Sequence, residues 1–352
     1  MRISISSGAL AAAVLGIAAS GTAQAQGTVV VAATGGAYEQ SLRDAFFDPF
    51  TEATGIRVQT VTATAQEQIT RLTAMNQVGG VTWDIAVLGD IEAHSDHVRD
   101  MTVDMTEFCT QFAGRTDLVD GACDYTGVML NSGLTYIVWD GDVLGDEGPT
   151  TWAEVWDVER FPGGRTFPNF NDPWRVLAAA LVADGVPPAD LFPLDIDRAL
   201  AKLDALKPNI SLWWRTGDAS QQGYRDGEYV MGMVWQTRAS VLLQEGRNLK
   251  FSLNEGVLVS DRATLVKGGP NQDNALQLLE YIQNATEGMA RHCTNLGCTP
   301  PSRTAMEQMS PENQANTPLQ PGVYETLILP DTEWINENRP MMLERWNTWL
   351  QG

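Results

Sequence analysis

The chain is poor in the residues that most often carry covalent or metal chemistry. Its 352 residues include three histidines (His94, His97 and His292) and four cysteines. It contains no G-x-S-x-G, H-E-x-x-H or C-x-x-C pattern, so the usual signatures of a serine hydrolase, a zinc peptidase and a thiolate metal site are missing. No cofactor and no metal is expected. Positive charge is also scarce: 23 Lys and Arg stand against 44 Asp and Glu, a formal net charge of -21. Phosphate backbones bind basic stripes, and none is present, so no nucleic acid is expected as a partner. Apolar runs are short as well. The most apolar stretch, Ala9 to Ala19, falls below the roughly 20 residues needed to span a bilayer.

What that stretch does resemble is a cleavable export signal. Arg2 precedes it and Ala23-Gln24-Ala25 follows as a small-residue cleavage site, in the order such signals use. Residues 1–25 are expected to be removed, which leaves a mature chain starting near Gln26. Export into oxidising surroundings agrees with the cysteine spacing, because Cys109 lies near Cys123 and Cys293 near Cys298. Two local disulfides are expected, each clipping a short loop and leaving larger movements free. The length exceeds the ~100–200 residues of one ordinary domain, so two lobes are expected.

Along the chain, Thr28 to Ala33 (TVVVAA) reads as a buried strand and Gly35-Gly36 as a turn. Ala37 to Thr54 has helical spacing of apolar residues, closed by Gly55. Ile56 to Val61 alternates like a strand, Gln66 to Met75 suits a helix, and Trp83 to Leu88 is a third strand ending at Gly89-Asp90. Strands alternating with helices predict a parallel sheet whose strand ends hold the site. The pattern restarts with a crossing strand at Leu134 to Trp139. Helices follow at Trp152 to Trp156 and Pro173 to Asp184, then a strand at Tyr229 to Trp235, a returning strand at Gly256 to Val266 and a helix at Asn271 to Asn284. Two crossings between lobes predict a hinge.

Five ordered segments resemble the spermidine/putrescine-binding group of bacterial solute receptors. They are VVAATGGAYEQSLRDAFFDPFTEATGIRV (30–58), TTWAEVWDVERFPGGR (150–165), ADGVPPADLFPLDIDRALAKLDALKP (183–208), WWRTGDASQQGYRDGEYVMGMVWQTRA (213–239) and NEGVLVSDRATLVKGGPN (254–271). The resemblance implies an α/β, two-lobed type II periplasmic binding fold, each lobe a mostly parallel sheet flanked by helices and joined by crossing hinge strands. The expected lobes are 26–134 plus 258–310 and 135–257 plus 311–352. It further implies a monomeric periplasmic receptor that closes on a small amine or zwitterion and delivers it to the membrane permease of an ABC importer.

The matching positions supply suitable chemistry. Trp139, Trp213, Trp214 and Trp235 offer faces that attract an ammonium and pack on methylenes. Trp152 and Trp156, one helical turn apart, read as core. Asp90, Asp218 and Glu255 are candidate acceptors for an amine. Arg215 and Arg238 can bind a carboxylate bidentately, which favours an amino-carboxylate over a plain polyamine. Gly36 and Tyr38 belong to the same site, glycine letting a ligand approach the backbone and the tyrosine covering it. Where relatives often carry Trp-Asn-Gly-Arg, this chain has Trp235-Gln236-Thr237-Arg238, which keeps the arginine and changes its neighbours. Two other classes fit the residues less well. A secreted hydrolase would have only three histidines as bases, although a carboxylate pair for glycoside hydrolysis stays open. A ferric-ion receptor on a similar fold would use neighbouring tyrosines, and none of the seven tyrosines is adjacent to another.

Overall fold

The computed structural model describes residues 27–169, 173–318, 320 and 322–352; the expected export signal lies outside them. One nine-stranded sheet runs through the molecule. Its strands are β1 (Thr28–Ala33), β2 (Arg57–Thr62), β3 (Ile85–Gly89), β4 (Cys123–Asp124), β5 (Gly127–Asp140), β6 (Arg165–Pro168), β7 (Ile210–Trp214), β8 (Met231–Trp235) and β9 (Leu249–Leu265). The order is β2-β1-β3-β9-β5-β8-β6-β7, with β4 paired to β5.

The outer strands on both sides are parallel: β1 with β2 and β3, and β6 with β7 and β8. The centre is antiparallel. Strands β5 and β9 pair from Val128↔Ala263 to Asp140↔Leu249, and they also pair antiparallel with β8 and β3. The predicted crossing strands therefore form one long ribbon, and both are longer at their outer ends than the sequence pattern suggested. Parallel sheets need cover on both faces, and alternate residues supply it. Val29, Val31 and Ala33 enter a core with Phe46, Phe50, Leu278 and Leu279, whereas Ala32 faces a second core with Leu72, Trp83 and Val98. Likewise Tyr136 and Val138 pack with Tyr224 and Tyr229, and Ile137 and Trp139 face the largest core.

That largest core contains Trp174–Ala183, a helix buried along its whole length. A helix that is apolar all round must be buried on all sides, and here Ile196–Leu206 and the C-terminal helix Thr332–Gln351 cover it through Leu203, Ile335, Met342 and Trp346. The expected helix over Ala37 to Thr54 is continuous but contains a π-helical turn at Arg43–Phe47. Gly55, with φ 77°, ends it in the left-handed region. Both expected disulfides are present, Cys109–Cys123 with Cα atoms 5.5 Å apart and Cys293–Cys298 with 4.4 Å. No helix among the described residues is long and apolar enough to cross a membrane.

Gly232, at φ 151° in β8, shows how tightly the second sheet half is built. A Cβ there would lie 2.0 Å from the backbone oxygen of Thr166 on β6, and backbone cannot yield as a side chain can. Gly232→Ala is expected to destabilise the protein by about 3 kcal/mol in chemical denaturation, far more than a surface Gly→Ala; an unchanged midpoint would contradict this close approach.

Candidate functional site

Strands β5 and β9 form the floor between the two sheet halves. Asn131 on β5 pairs with Asp261 on β9, which in turn pairs with Gly89 at the end of β3. Four residues along β5, Thr135 pairs with Trp235 at the end of β8, a rise of roughly 13 Å at 3.3 Å per residue. Carboxyl ends of parallel strands from both halves thus converge on one short stretch of ribbon, where ligands of α/β sheets bind.

At the first end, Asn131 Nδ2 donates to Asp261 Oδ2 at 3.1 Å, and the Tyr38 hydroxyl donates to Asn131 Oδ1 at 3.0 Å. Burial pushes the Asp261 carboxyl up, donors from Asn131 and Tyr38 oppose this, and the charge of Glu92 raises it while that of Arg175 lowers it; the outcome is about 6. Arg175 comes from Trp174–Ala183, on the opposite side of the floor, with its guanidinium 4.9 Å from the Trp174 ring. Asp261 therefore lies between charges contributed by the two halves. Burial, followed by the charge of Asp261, holds the Tyr38 hydroxyl well above its ordinary range.

At the other end, half-buried Trp235 meets Trp214 edge to face, with ring centroids 5.0 Å apart. Trp214 is buried and its indole donates to the Met233 carbonyl at 3.0 Å. Gln236 is buried; its Oε1 accepts from the Leu134 amide at 2.9 Å and its Nε2 donates to the Asn316 carbonyl at 2.6 Å. Gln236 thus fastens the Trp235 turn to β5. Arg238 Nη1 meets Asp218 at 2.9 Å. Gly217 makes room for that arginine, since a Cβ there would lie 2.2 Å from its Nε.

The structure places the sequence-predicted residues in three groups. Tyr38 and Trp235 stand at the two ends of the floor. Gly36, at φ 72° with open space where a Cβ would be, lies in the exposed turn before Tyr38. Arg215 is exposed, and Arg238 and Asp218 satisfy each other. The remaining candidates are engaged elsewhere. Asp90 is ion-paired with Arg262, a buried guanidinium that also holds Asp124 at 2.9 Å. Burial pushes Asp124 up, but His94 and Arg262 outweigh it and hold it at about 2. Trp139 is buried and its indole donates to the Gly145 carbonyl at 3.0 Å. Trp213 packs with Phe167, Trp346 and Trp349, because the C-terminal helix covers the face it would otherwise show.

Glu255, at φ 57°, accepts from the Trp152 backbone amide at 2.7 Å, and its carbonyl accepts from the Trp152 indole at 2.8 Å. It ties the crossing strand to the helix Trp152–Trp156, so Trp152 is core as its helical spacing suggested. Asp261, Asn131 and Arg175 were not singled out in the sequence. The available signal was polarity in apolar surroundings, namely an asparagine in GVMLNSGL, an aspartate in VLVSDRATL and an arginine in WRVLAAALVA, since buried polar groups need partners or a purpose.

The raised Asp261 carboxyl carries a pH signature. Its folded value, about 6, exceeds the ordinary 3.8, so the native state favours the protonated form. This contribution is fully present below pH 3.8 and is lost as pH rises through 6. Asp261→Asn is expected to stabilise the ligand-free protein at pH 7.5 by on the order of 1–2 kcal/mol, seen as a higher melting temperature, and to change little at pH 4. Equal shifts at both pH values would show that ionisation of Asp261 is not the cause.

Residues 45–321 match the family described as bacterial extracellular solute-binding protein. The gamma-aminobutyric acid-binding protein of Pseudomonas aeruginosa is 28% identical over 344 residues, covering 95% of this chain and 94% of that protein. Among solved structures, the open unliganded form of AttC from Agrobacterium tumefaciens is 47% identical with a TM-score of 0.75, covering 92% of this chain and 100% of that one. A structure described as a GABA receptor is 29% identical with a TM-score of 0.79, covering 92% and 97%. With a family match over most of its length and a fold shared with solved periplasmic binding proteins, this chain belongs to the bacterial extracellular solute-binding proteins.

Proposed function

We propose that this protein is the periplasmic substrate-binding component of an ABC importer, and that it captures an amino-carboxylate resembling 4-aminobutyrate and passes it to a membrane permease. It works as a monomeric clamp that binds its solute without covalent chemistry. The observation that carries the reading is Asp261, a carboxyl between the two halves that is held by Asn131 and Tyr38 and lies within the field of Arg175 from the opposite side. In this reading the ligand ammonium sits at Asp261, its methylenes lie against Tyr38 and Trp235, and its carboxylate meets Arg175, whose planar fork suits that group. Arg175 takes the part first assigned to Arg215 or Arg238, because its field reaches Asp261, whereas Arg238 meets Asp218. A diamine would bring a second cation towards the guanidinium, which costs free energy in a partly dry cleft.

The lobe division at 26–134 plus 258–310 and 135–257 plus 311–352 is part of this reading; Met309 in the first core and Ile328, Ile335 and Trp346 in the second support it, while Leu134 and Leu258 pack with Tyr136 and Val234 of the second half. The lobes then move by bending the β5/β9 ribbon. The resemblance to proteins whose names specify gamma-aminobutyric acid supports a zwitterion over a polyamine.

Calorimetry against 4-aminobutyrate, putrescine and spermidine tests the ligand class. The zwitterion should bind most tightly; binding of the two polyamines with none of 4-aminobutyrate would overturn the assignment. Arg175→Ala should weaken 4-aminobutyrate binding by about a hundredfold. Trp235→Ala should weaken it by more than about tenfold while the fold melts normally. If neither variant changes affinity, the site lies elsewhere.

A further inference from the structure

Behind Asp261 a chain of buried polar groups runs into the first core. Asn131 and His292 are both almost fully buried, and so is Ser41. His292 Nε2 lies 3.2 Å from Asn131 Oδ1, and His292 Nδ1 lies 2.9 Å from the Ser41 hydroxyl. The Tyr38 ring stands edge-on to the imidazole at 5.5 Å and Phe46 packs against it at 5.6 Å. We propose that His292 is a positioning residue for the ligand site: its Nε2–H, held in that tautomer by Ser41, fixes the Asn131 amide so that the NH2 group points at Asp261.

The protons leave one consistent arrangement. A carboxylate can only accept, so Asn131 must turn Nδ2 towards Asp261, which leaves Oδ1 as an acceptor at the other end. That oxygen receives the Tyr38 hydroxyl and, to be satisfied by His292, needs a proton on Nε2. Nδ1 of a neutral ring is then an acceptor, and the Ser41 hydroxyl at 2.9 Å donates to it in preference to the His292 carbonyl at 3.3 Å. Burial pushes the ring down to about 4, so it stays neutral near pH 7. Were Nδ1 the protonated nitrogen, Nε2 and Oδ1 would face each other as two acceptors. The amide would then gain by flipping, which would turn Oδ1 towards Asp261 as a second acceptor against a carboxylate.

The consequence reaches the ligand through Asp261 alone. The charged or titratable groups around that carboxyl are Tyr38 from the first helix, Glu92 after β3 and Arg175 from the opposite half. Arg262, next on β9, is taken up by Asp90 and Asp124. None of these touches His292 except Tyr38. His292 adjoins Cys293, whose disulfide to Cys298 anchors the end of the same helix, Thr286–Leu296, so the imidazole is held from its backbone as well as from Ser41.

The inference rests on the reading of Asp261 as the amine site, and two measurements separate their fates. Long-range proton–nitrogen NMR of the histidine-labelled wild-type protein, without ligand, should show the buried ring protonated at Nε2; protonation at Nδ1 overturns the proposal whatever the ligand. The second is the pH dependence of 4-aminobutyrate affinity, which in the wild type should fall as pH drops through about 6. His292→Phe should move that midpoint upward and weaken binding at pH 7 by about tenfold, and His292→Gln, whose amide can donate to Oδ1, should largely restore both. A folded His292→Phe protein with an unchanged midpoint sinks the positioning role. Failure of the wild type to bind 4-aminobutyrate at all would instead remove the ligand reading, leaving the tautomer result to decide this one.

Discussion

Everything in this molecule hangs on the antiparallel ladder between β5 and β9. Among the described residues it is the only strand pairing that joins the parallel strands of the first half to those of the second, with β3 attached to β9 and β8 to β5. Its polar residues also become the floor of the cleft. Register matters here more than length: a slip of one residue would turn Asn131 and Asp261 to the opposite face and separate both from Tyr38. Glu255 and Gly256 lie inside the ribbon, and Glu255 grips Trp152 through both its side chain and its backbone. The helix Trp152–Trp156 of the second half is therefore tied directly to β9 within the ribbon.

Two acids that stand side by side in the sheet illustrate how context divides labour. Asp90 and Asp261 both lie at the end of the β3/β9 pairing. Asp90 falls within reach of Arg262, a guanidinium buried among Asp90, Asp124 and the Gly121 carbonyl. That cluster pairs two carboxylates with one guanidinium, His94 also meeting both acids, and it ties the disulfide-closed segment between Cys109 and Cys123 to the sheet. Asp261 has the Asn131 amide as its donor, itself held by the Tyr38 hydroxyl, and Glu92 works against its ionisation. In the proposed site such a carboxyl would gain from an arriving ammonium, because the ligand would supply the charge that the protein withholds.

Much of the architecture was readable from pattern. Strand Thr28–Ala33 and helix Trp152–Trp156 fall where periodicity put them, and Gly55 ends its helix in the conformation glycine permits. The crossing strands were recognised but shortened, because Ser252, Asn254 and Glu255 interrupt the apolar alternation in β9 and Asn131 and Ser132 do so in β5. Short strands β6 and β7 gave too little periodic signal in four and five residues. The aromatic candidates divided for a reason no local pattern contains. Trp213 and Trp235 both end near strand termini and both are half-buried, yet Trp213 packs on Trp346 and Trp349 of the C-terminal helix while Trp235 meets Trp214.

By itself the sequence determined the class of molecule: alternating strands and helices, cysteines close enough to pair locally, and apolar periodicities strong enough to define most elements. These are local properties, written within ten or twenty residues. Only the tertiary structure decided which charges lie beside which. Asp90 and Arg262 lie 172 residues apart, and His292 and Asn131 161 apart; pairing at such separations depends on sheet order and register, and residue spacing does not reveal it. For that reason the acids and arginines of the proposed site had to be reassigned, from Asp90 to Asp261 and from Arg238 to Arg175, while the fold that brings them together was already legible.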